Sequence, residues 1–444
     1  MNNTEVSHTV SVPSFADAIW QWARIGLLSF GGPAAQIALM HRIVVDEKHW
    51  LSEKQYLNAL SFCMLLPGPE AMQLATYTGW RLHGVRGGLA AGLLFVSPGA
   101  IVVLTLAFIY SVYGNVPILE ALFYGIKAVV LVIVIEALLR ISKRALTGLV
   151  HRLIACLAFI GIFFFHLPFP VIIGLSALAG FLLLPDENSA ATDQVCSNIN
   201  KAAGYNFSST GNFRNAIKTI SLWLFLWFTP ILILAFTTDR ALLSDIGIFF
   251  SKLAVVTFGG AYAVLAYLAQ DVVTQFGWLT AGEMMDGLAL AETTPGPLIL
   301  VTEFVGFLAG YREAGVLMGF AAALLTLWVT FVPCFLWIFA GAPYIEWVGQ
   351  QRRLRNALAA ITAAVVGVIL NLSLWFALHV FFHNVQLKSR GILYFWQPEW
   401  STLDWRIVLL TIICATLAFA RRWGIGKILL TAAILGAALY KLPF

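Results

Sequence analysis

The chain has 444 residues, of which 60% are hydrophobic and only 11% charged, whereas soluble domains carry about 25% charged residues. So few charges cannot cover a water-exposed surface, which excludes a string of soluble domains and leaves a bundle of roughly a dozen spanning helices at about 20 apolar residues each. The net charge of +5 sits in short basic clusters between apolar runs, the pattern that orients membrane helices, so it does not argue for nucleic acid.

In chain order, residues 1–14 are polar and lack the apolar core of a signal peptide, so the first helix is expected to stay in the mature protein. Spans are predicted near 17–40, 56–80, 87–113, 118–140, 149–166 and 169–184, the second broken at Pro67-Gly68-Pro69. Together they make an N-terminal repeat, 1–184. A polar linker, 185–216, follows, and then a helix near 217–237 that has no counterpart. The C-terminal repeat, 238–444, is predicted to span near 246–269, 283–310 (broken at Pro295-Gly296-Pro297), 314–341, 356–382, 403–420 and 424–442. The expected architecture is an all-α polytopic membrane protein with about thirteen transmembrane segments. Cys63, Cys156, Cys334 and Cys414 lie inside apolar stretches and read as reduced packing residues.

The repeat is visible by eye. The segment from Ser29 to Pro69 aligns without a gap to the segment from Thr257 to Pro297, 228 positions later (257 − 29). Thirteen of the 41 positions are identical, and they include FGG, WL and PGP at matched spacing, which chance hardly supplies. Further on, Pro98 meets Pro333 and Lys127 meets Thr362 at an offset of 235. The extra helix near 217–237 would start the second repeat on the opposite face of the membrane. The charges agree. Gly114–Pro117 and His166–Pro170 hold no Lys or Arg, while their counterparts hold Arg352, Arg353 and Arg355, and Arg421, Arg422 and Lys427. Basic residues thus change loops between halves, as an inverted repeat requires.

Four breaks mark the candidate site. Proline removes an N–H and restricts the residue before it, so PGP inside an apolar run must interrupt a helix. Non-helical backbone at membrane depth is tolerated only where protein or a water-filled cavity surrounds it. The helix that restarts presents free N–H groups and a positive dipole end, which suits an anion. Pro67, Gly68, Pro69, Thr294, Pro295, Gly296 and Pro297 are therefore candidate substrate-binding positions. Ser29, Gly31 and Gly32, with Thr257, Gly259 and Gly260, add hydroxyls and paired glycines that allow close backbone approach; small-residue helix packing explains them equally well. Ser52-x-x-Gln55 and Thr280-x-x-Glu283 read as capping boxes that open the helices leading into PGP.

Charges inside the spans are costly and point to function. Lys127 lies mid-span with no acidic residue within six positions, so an anion or a carboxylate on another helix must offset it; snorkelling to an interface is the plainer alternative. Glu136 stands four residues before Arg140 and forms an ordinary helical pair. Glu70 directly follows the first PGP, and Glu292 and Glu303 flank the second. Each either caps a helix or carries a proton in competition with the anion. No phosphate-binding loop, HExxH or GxSxG is present, so ATP-driven pumping and zinc or serine hydrolysis have no visible apparatus, and no metal or cofactor is expected.

SFGGP at 29–33, WLSEKQY at 50–56, LLPGPEAMQLATYTGW at 65–80, TFGGAYAVL at 257–265, ETTPGPLILVTEFVGF at 292–307 and WVTFVPCFLWIF at 328–339 together resemble the chromate ion transporter family in its long, two-domain form. The resemblance covers nearly the whole chain. It implies a multi-pass inner-membrane secondary transporter that exports chromate, driven by proton antiport, with antiparallel halves. Its partners would be chromate, protons and the lipid bilayer, and a homodimer is compatible with it. Transport of another oxyanion, sulfate or molybdate, is the nearest alternative. A membrane-embedded enzyme acting on lipid headgroups is a more distant one, because the eight histidines are scattered.

Overall fold

Local chemistry sets the helix ends in the computed structural model, which describes residues 13–113, 116–183, 213–237, 241–258, 261–345, 351–391 and 393–440. Ser14 accepts the Asp17 amide and opens α1 (Phe15–Leu28). Full capping boxes at Ser52/Gln55 and Thr280/Glu283 open α3 (Glu53–Cys63) and α11 (Ala281–Thr293). These paired caps stand 228 positions apart. So do the carbonyl–amide contacts before them, Val44 to Trp50 and Val272 to Trp278.

The described chain is an all-α polytopic membrane protein with one small β-hairpin. Five helices are long and apolar enough to cross a bilayer: Glu70–Tyr113, Glu120–Ala145, Arg214–Leu234, Val316–Tyr344 and Arg353–Phe381. Shorter apolar helices lie at Leu149–Phe165, Phe169–Leu182, Trp405–Ala420 and Ile425–Tyr440. Their outer faces expose Leu157, Ile101, Leu182 and Leu430, each 66% accessible, which only lipid would cover favourably.

Two predicted spans are broken. The stretch near 17–40 is α1 and α2 (Gly32–His41), parted at Ser29–Gly31 because Gly31 and Gly32 take φ of +85° and +75°. The stretch near 246–269 is α9 (Ala241–Val256) and α10 (Ala261–Gln270). Gly259 and Gly260 between them lie outside the described residues, as do residues 1–12 and most of the predicted linker. A π-turn extends α2 at Arg42–Glu47 and another extends α10 at Asp271–Gln275.

After each PGP the chain forms a helical hairpin. α4 (Glu70–Tyr113) turns sharply at His83 and Gly84, so a Cβ on Gly79 would meet the Gly87 carbonyl at 2.3 Å. In the second half a 3-10 turn, Leu298–Leu300, leads into α12 (Val301–Ala314), which folds at Gly315 onto α13 (Val316–Gly341). The short arm of α4, Glu70 to His83, is about 21 Å long at 1.5 Å per residue, so PGP sits well inside the apolar layer if the turn marks its surface.

The halves interlock. α5 (Pro117–Ala145) packs on α16 (Ile425–Tyr440), where a Cβ on Gly125 would meet the Ala432 carbonyl at 1.9 Å. α14 (Arg352–Phe381) packs on α6 (Leu149–Phe165) and α7 (Phe169–Leu183), where a Cβ on Gly180 would meet Ala360 and the Asn356 carbonyl, each at 2.5 Å. Gly125 and Ala360 are repeat equivalents at the offset of 235. Each half thus seats its last helices on the long helix that follows the other half's hairpin. α8 (Phe213–Thr237) leans on α9 and α13.

The predicted loop before α15 (Trp405–Ala415) holds a β-hairpin instead, with β1 (Val385–Arg390) antiparallel to β2 (Leu393–Pro398). The aromatics Tyr394 and Trp396 give it strand character and pack against His166, Tyr394 edge-on and Trp396 tilted.

Candidate transport site

The four breaks meet at one crossing. The Gly68 amide donates to the Thr257 carbonyl at 2.8 Å, and the Gly296 amide donates to the Ser29 carbonyl at 2.8 Å. Each PGP glycine therefore bonds the hydroxyl residue of the other half. Each PGP also rests on the proline kink of the other half's long helix. A Cβ on Gly68 would lie 3.0 Å from Cys334 Sγ, and a Cβ on Gly99 would lie 2.2 Å from the Pro295 carbonyl. Gly99 and Cys334, which follow Pro98 and Pro333, are themselves equivalent at the offset of 235. Gly68 and Gly296 take φ of +122° and +95°, which L side chains rarely adopt.

Two glutamines hold the crossing. Gln36 Nε2 donates to the Gly296 carbonyl at 2.6 Å and to the Ser29 carbonyl at 3.2 Å. Gln73 Nε2 donates to the Pro67 carbonyl at 2.6 Å. The hydroxyls of Ser29 and Thr257 turn back to their own helices, donating to Ile25 at 2.6 Å and to Leu253 at 2.5 Å. The sequence left those hydroxyls to substrate or to helix packing; here the carbonyls of the same residues make the contact between halves. Thr294 likewise donates to the Ala291 carbonyl at 3.2 Å.

Two vestibules open toward opposite ends of α5. The first, about 270 Å³, is lined by Pro33, Met64, Glu70, Arg140, Arg144, Tyr262 and Thr362 among others. Pro33 and Glu70 stand in the first turns of α2 and α4, so two helix N-termini face this space. Tyr262 donates to Glu292 at 2.7 Å, which places Glu292 behind the same wall. The second vestibule, about 500 Å³, is lined by Tyr110, Glu120, Lys127, Glu283, Asp286, Arg312 and their neighbours. Lys127 and Thr362, matched by the repeat, thus lie in different vestibules. Lys127 and Arg140 are thirteen residues apart on one helix, about 20 Å.

Lys127 does have a counter-charge. Its Nζ is 3.8 Å from an oxygen of Asp286, whose other oxygen accepts the Tyr110 hydroxyl at 2.8 Å. Arg312 pairs with Glu283 beside them. Asp286 escaped the sequence reading although it breaks an apolar helix just as Lys127 does. Arg140 entered the sequence reading of candidate residues only as the helical partner of Glu136, and Arg144 not at all. Glu70 and Glu292 gather around the Arg140 vestibule, whereas Lys127 stands apart from both. Glu303 is fully buried, and among the described residues neither of its carboxylate oxygens has a hydrogen-bond partner.

The sequence profile of the family described as Chromate transporter matches residues 16–181 and 244–440. A chromate transport protein of Pseudomonas aeruginosa is 31% identical over 370 residues, covering 81% of this chain and 81% of that protein. A chromate transport protein of Cupriavidus metallidurans is 28% identical over 368 residues, 82% of each chain. An uncharacterized transporter of Methanocaldococcus jannaschii is 28% identical over 371 residues, 83% of this chain and 86% of its own length. No solved structure matches the chain.

Proposed function

The chain belongs to the chromate transporter family, and we propose that it exports chromate across the cytoplasmic membrane in exchange for protons. The observation that carries this reading is the crossing of the two PGP breaks, each closed on a carbonyl of the other half, together with a cavity that begins at Glu70 beside the first break. Broken helices at matched positions of two halves are where secondary transporters hold their cargo. In this reading the breaks at 67–69 and 295–297 line the path and the halves lie inverted about it. Arg140 then faces the cytoplasm, since its turn is the more basic.

Energetics favour export. Chromate is largely a dianion at neutral pH, and an inside-negative potential of about 100 mV drives two charges outward by roughly 4.6 kcal/mol. Uptake would need several coupled cations. Protons would be exchanged through Glu70 and Glu292, which flank the Arg140 vestibule, and through Glu303, sealed beyond the second break.

Everted membrane vesicles with labelled chromate and labelled sulfate test the proposal. Chromate should accumulate faster than in vesicles lacking the protein, and collapsing the pH gradient should slow it. Equal rates with and without the protein would overturn the reading. Preference for sulfate would leave the path and change the cargo.

A further inference from the structure

Resting on that reading, we propose that Arg140 and Arg144 form a loading site that captures a tetrahedral dianion before it reaches the crossing. The two guanidiniums stand one turn apart on the same face of α5 and line one cavity of about 270 Å³. Arg140 is held by Glu136 at 2.6 Å. Arg144 has no ion pair among the described residues; its contact is the Met64 thioether at 3.4 Å. One guanidinium is thus engaged by a direct ion pair, while the other shares the cavity with Glu70 without a direct bond to it. Guanidiniums bind oxyanions through parallel charge-assisted hydrogen bonds. Opposite them stand the first turns of α2 and α4, so the dipoles reinforce the arginines.

The other vestibule is built differently. Its ionisable lining is Lys127 and Arg312 against Glu120, Glu283 and Asp286, two positive against three negative, and both cations are already paired. The Arg140 vestibule carries two positive against one negative, Glu70. Counted by lining residues alone, one mouth is net positive and the other net negative, with Glu136 on Arg140 and Glu292 on Tyr262 standing outside the first lining; that polarity favours capture on the positive side and passage toward Lys127 on the other. Orienting the helix and capping its C-terminus would also recruit arginines here. Lys143 separates the two roles: it adds the same charge in the same turn but does not line the cavity.

The test has two arms. In everted vesicles, Arg144→Gln should raise the half-saturating chromate concentration about tenfold, the worth of one charge-assisted contact, with the maximal rate within about twofold of wild type. Arg144→Lys should fall between, Lys143→Gln should change nothing, and Glu136→Gln, which frees Arg140, should lower half-saturation. In the second arm the purified full-length protein is titrated with sodium chromate and sodium sulfate. Arg144→Gln should weaken binding by the same factor, and rising ionic strength should weaken wild-type binding more than the variant's. If wild type transports but Arg144→Gln and Lys143→Gln behave alike, the loading site falls. If wild type moves no chromate yet binds the anions through Arg144, the export reading falls and the site stands.

Discussion

The amide of Gly68 donates to the carbonyl of Thr257 across 2.8 Å, so the break of one half is closed by the break of the other. Its mate, Gly296 to Ser29, has the same length. Neither half can rearrange its own break without disturbing the other, and in the proposed export cycle that reciprocity would let the crossing act as a two-sided gate.

Gly68→Leu or Gly296→Leu should therefore cut chromate flux at least about tenfold while the protein still inserts. At Gly68 a Cβ would sit 2.8 Å from Gln73 Nε2, and the positive φ adds strain of about 1–3 kcal/mol. Ser29→Ala and Thr257→Ala should keep most of the flux, because only an internal hydroxyl bond worth about 1 kcal/mol is lost. Flux divided by membrane abundance decides. Normal transport in both leucine variants would reduce PGP to a kink.

The breaks were legible because proline and glycine act locally, and the caps at Ser52 and Thr280 and the Glu136–Arg140 pair were legible for the same reason. The partners across the halves were not. Nothing around Ser29 specifies Gly296, and nothing around Lys127 specifies Asp286, since both contacts depend on how long helices are placed. The seating of Gly436 on Gly125 is likewise invisible, because any small residue in an apolar helix reads alike. The hairpin at 385–398 was missed for its charged first strand, VQLKSR, which only its aromatic partner stabilises.

Membrane orientation is open to labelling. Arg140–Arg152, Arg352–Arg355 and Arg421–Lys427 should all face the cytoplasm, as inverted halves require. Cysteines placed in each turn of a cysteine-free variant should react with an impermeant thiol reagent in everted vesicles and not in intact cells. Cys156 must be replaced first because it is exposed. Labelling near Arg353 from the outside would sink the inverted arrangement.

Glu303 tests coupling. It is 0% exposed and its carboxylate has no hydrogen-bond partner among the described residues. Ionising it while sealed would cost several kcal/mol, so its charge must follow access to water. Glu303→Gln should keep the melting temperature and the flux driven by the membrane potential, and should abolish the extra flux driven by a pH gradient. An unchanged response to the pH gradient would remove Glu303 from the proton path.

Asp404 lies just before α15, outside the apolar spans, and anchors the hairpin end to α5. It accepts the Tyr124 hydroxyl at 2.7 Å and the Arg406 Nε at 2.9 Å. Burial works to raise its carboxyl, but the bonds from Arg406 and Tyr124 outweigh it and hold the group below its ordinary value of 3.8. A depressed acid stabilises the fold at any pH above the unfolded value and loses that contribution as pH falls through the folded one. Asp404→Asn should therefore lower the melting temperature at pH 7, by the equivalent of about 3 kcal/mol for a broken buried pair. The difference from wild type should shrink only below about pH 4. A constant difference down to pH 2 would mean that packing, not charge, fixes this corner.

Lys127 and Asp286 decide what the second vestibule does. The pair is loose at 3.8 Å, and Tyr110 holds Asp286 from the other side, so in the proposed export cycle the ammonium would leave its carboxylate for a passing anion. Because Lys127 lies about 20 Å along α5 from the Arg140 mouth, its loss should act after capture. Lys127→Met should slow the maximal export rate about tenfold, the worth of one charge-assisted contact, and leave half-saturation near wild type, the reverse of Arg144→Gln. It also strands Asp286, which is 4% exposed, so membrane abundance should fall. Adding Asp286→Asn should restore abundance without restoring the rate. Lys127→Arg should keep part of the activity, since the charge remains while its geometry changes. If the double variant exports like wild type, the pair only holds α5 against α11, and the lysine takes no part in moving the anion.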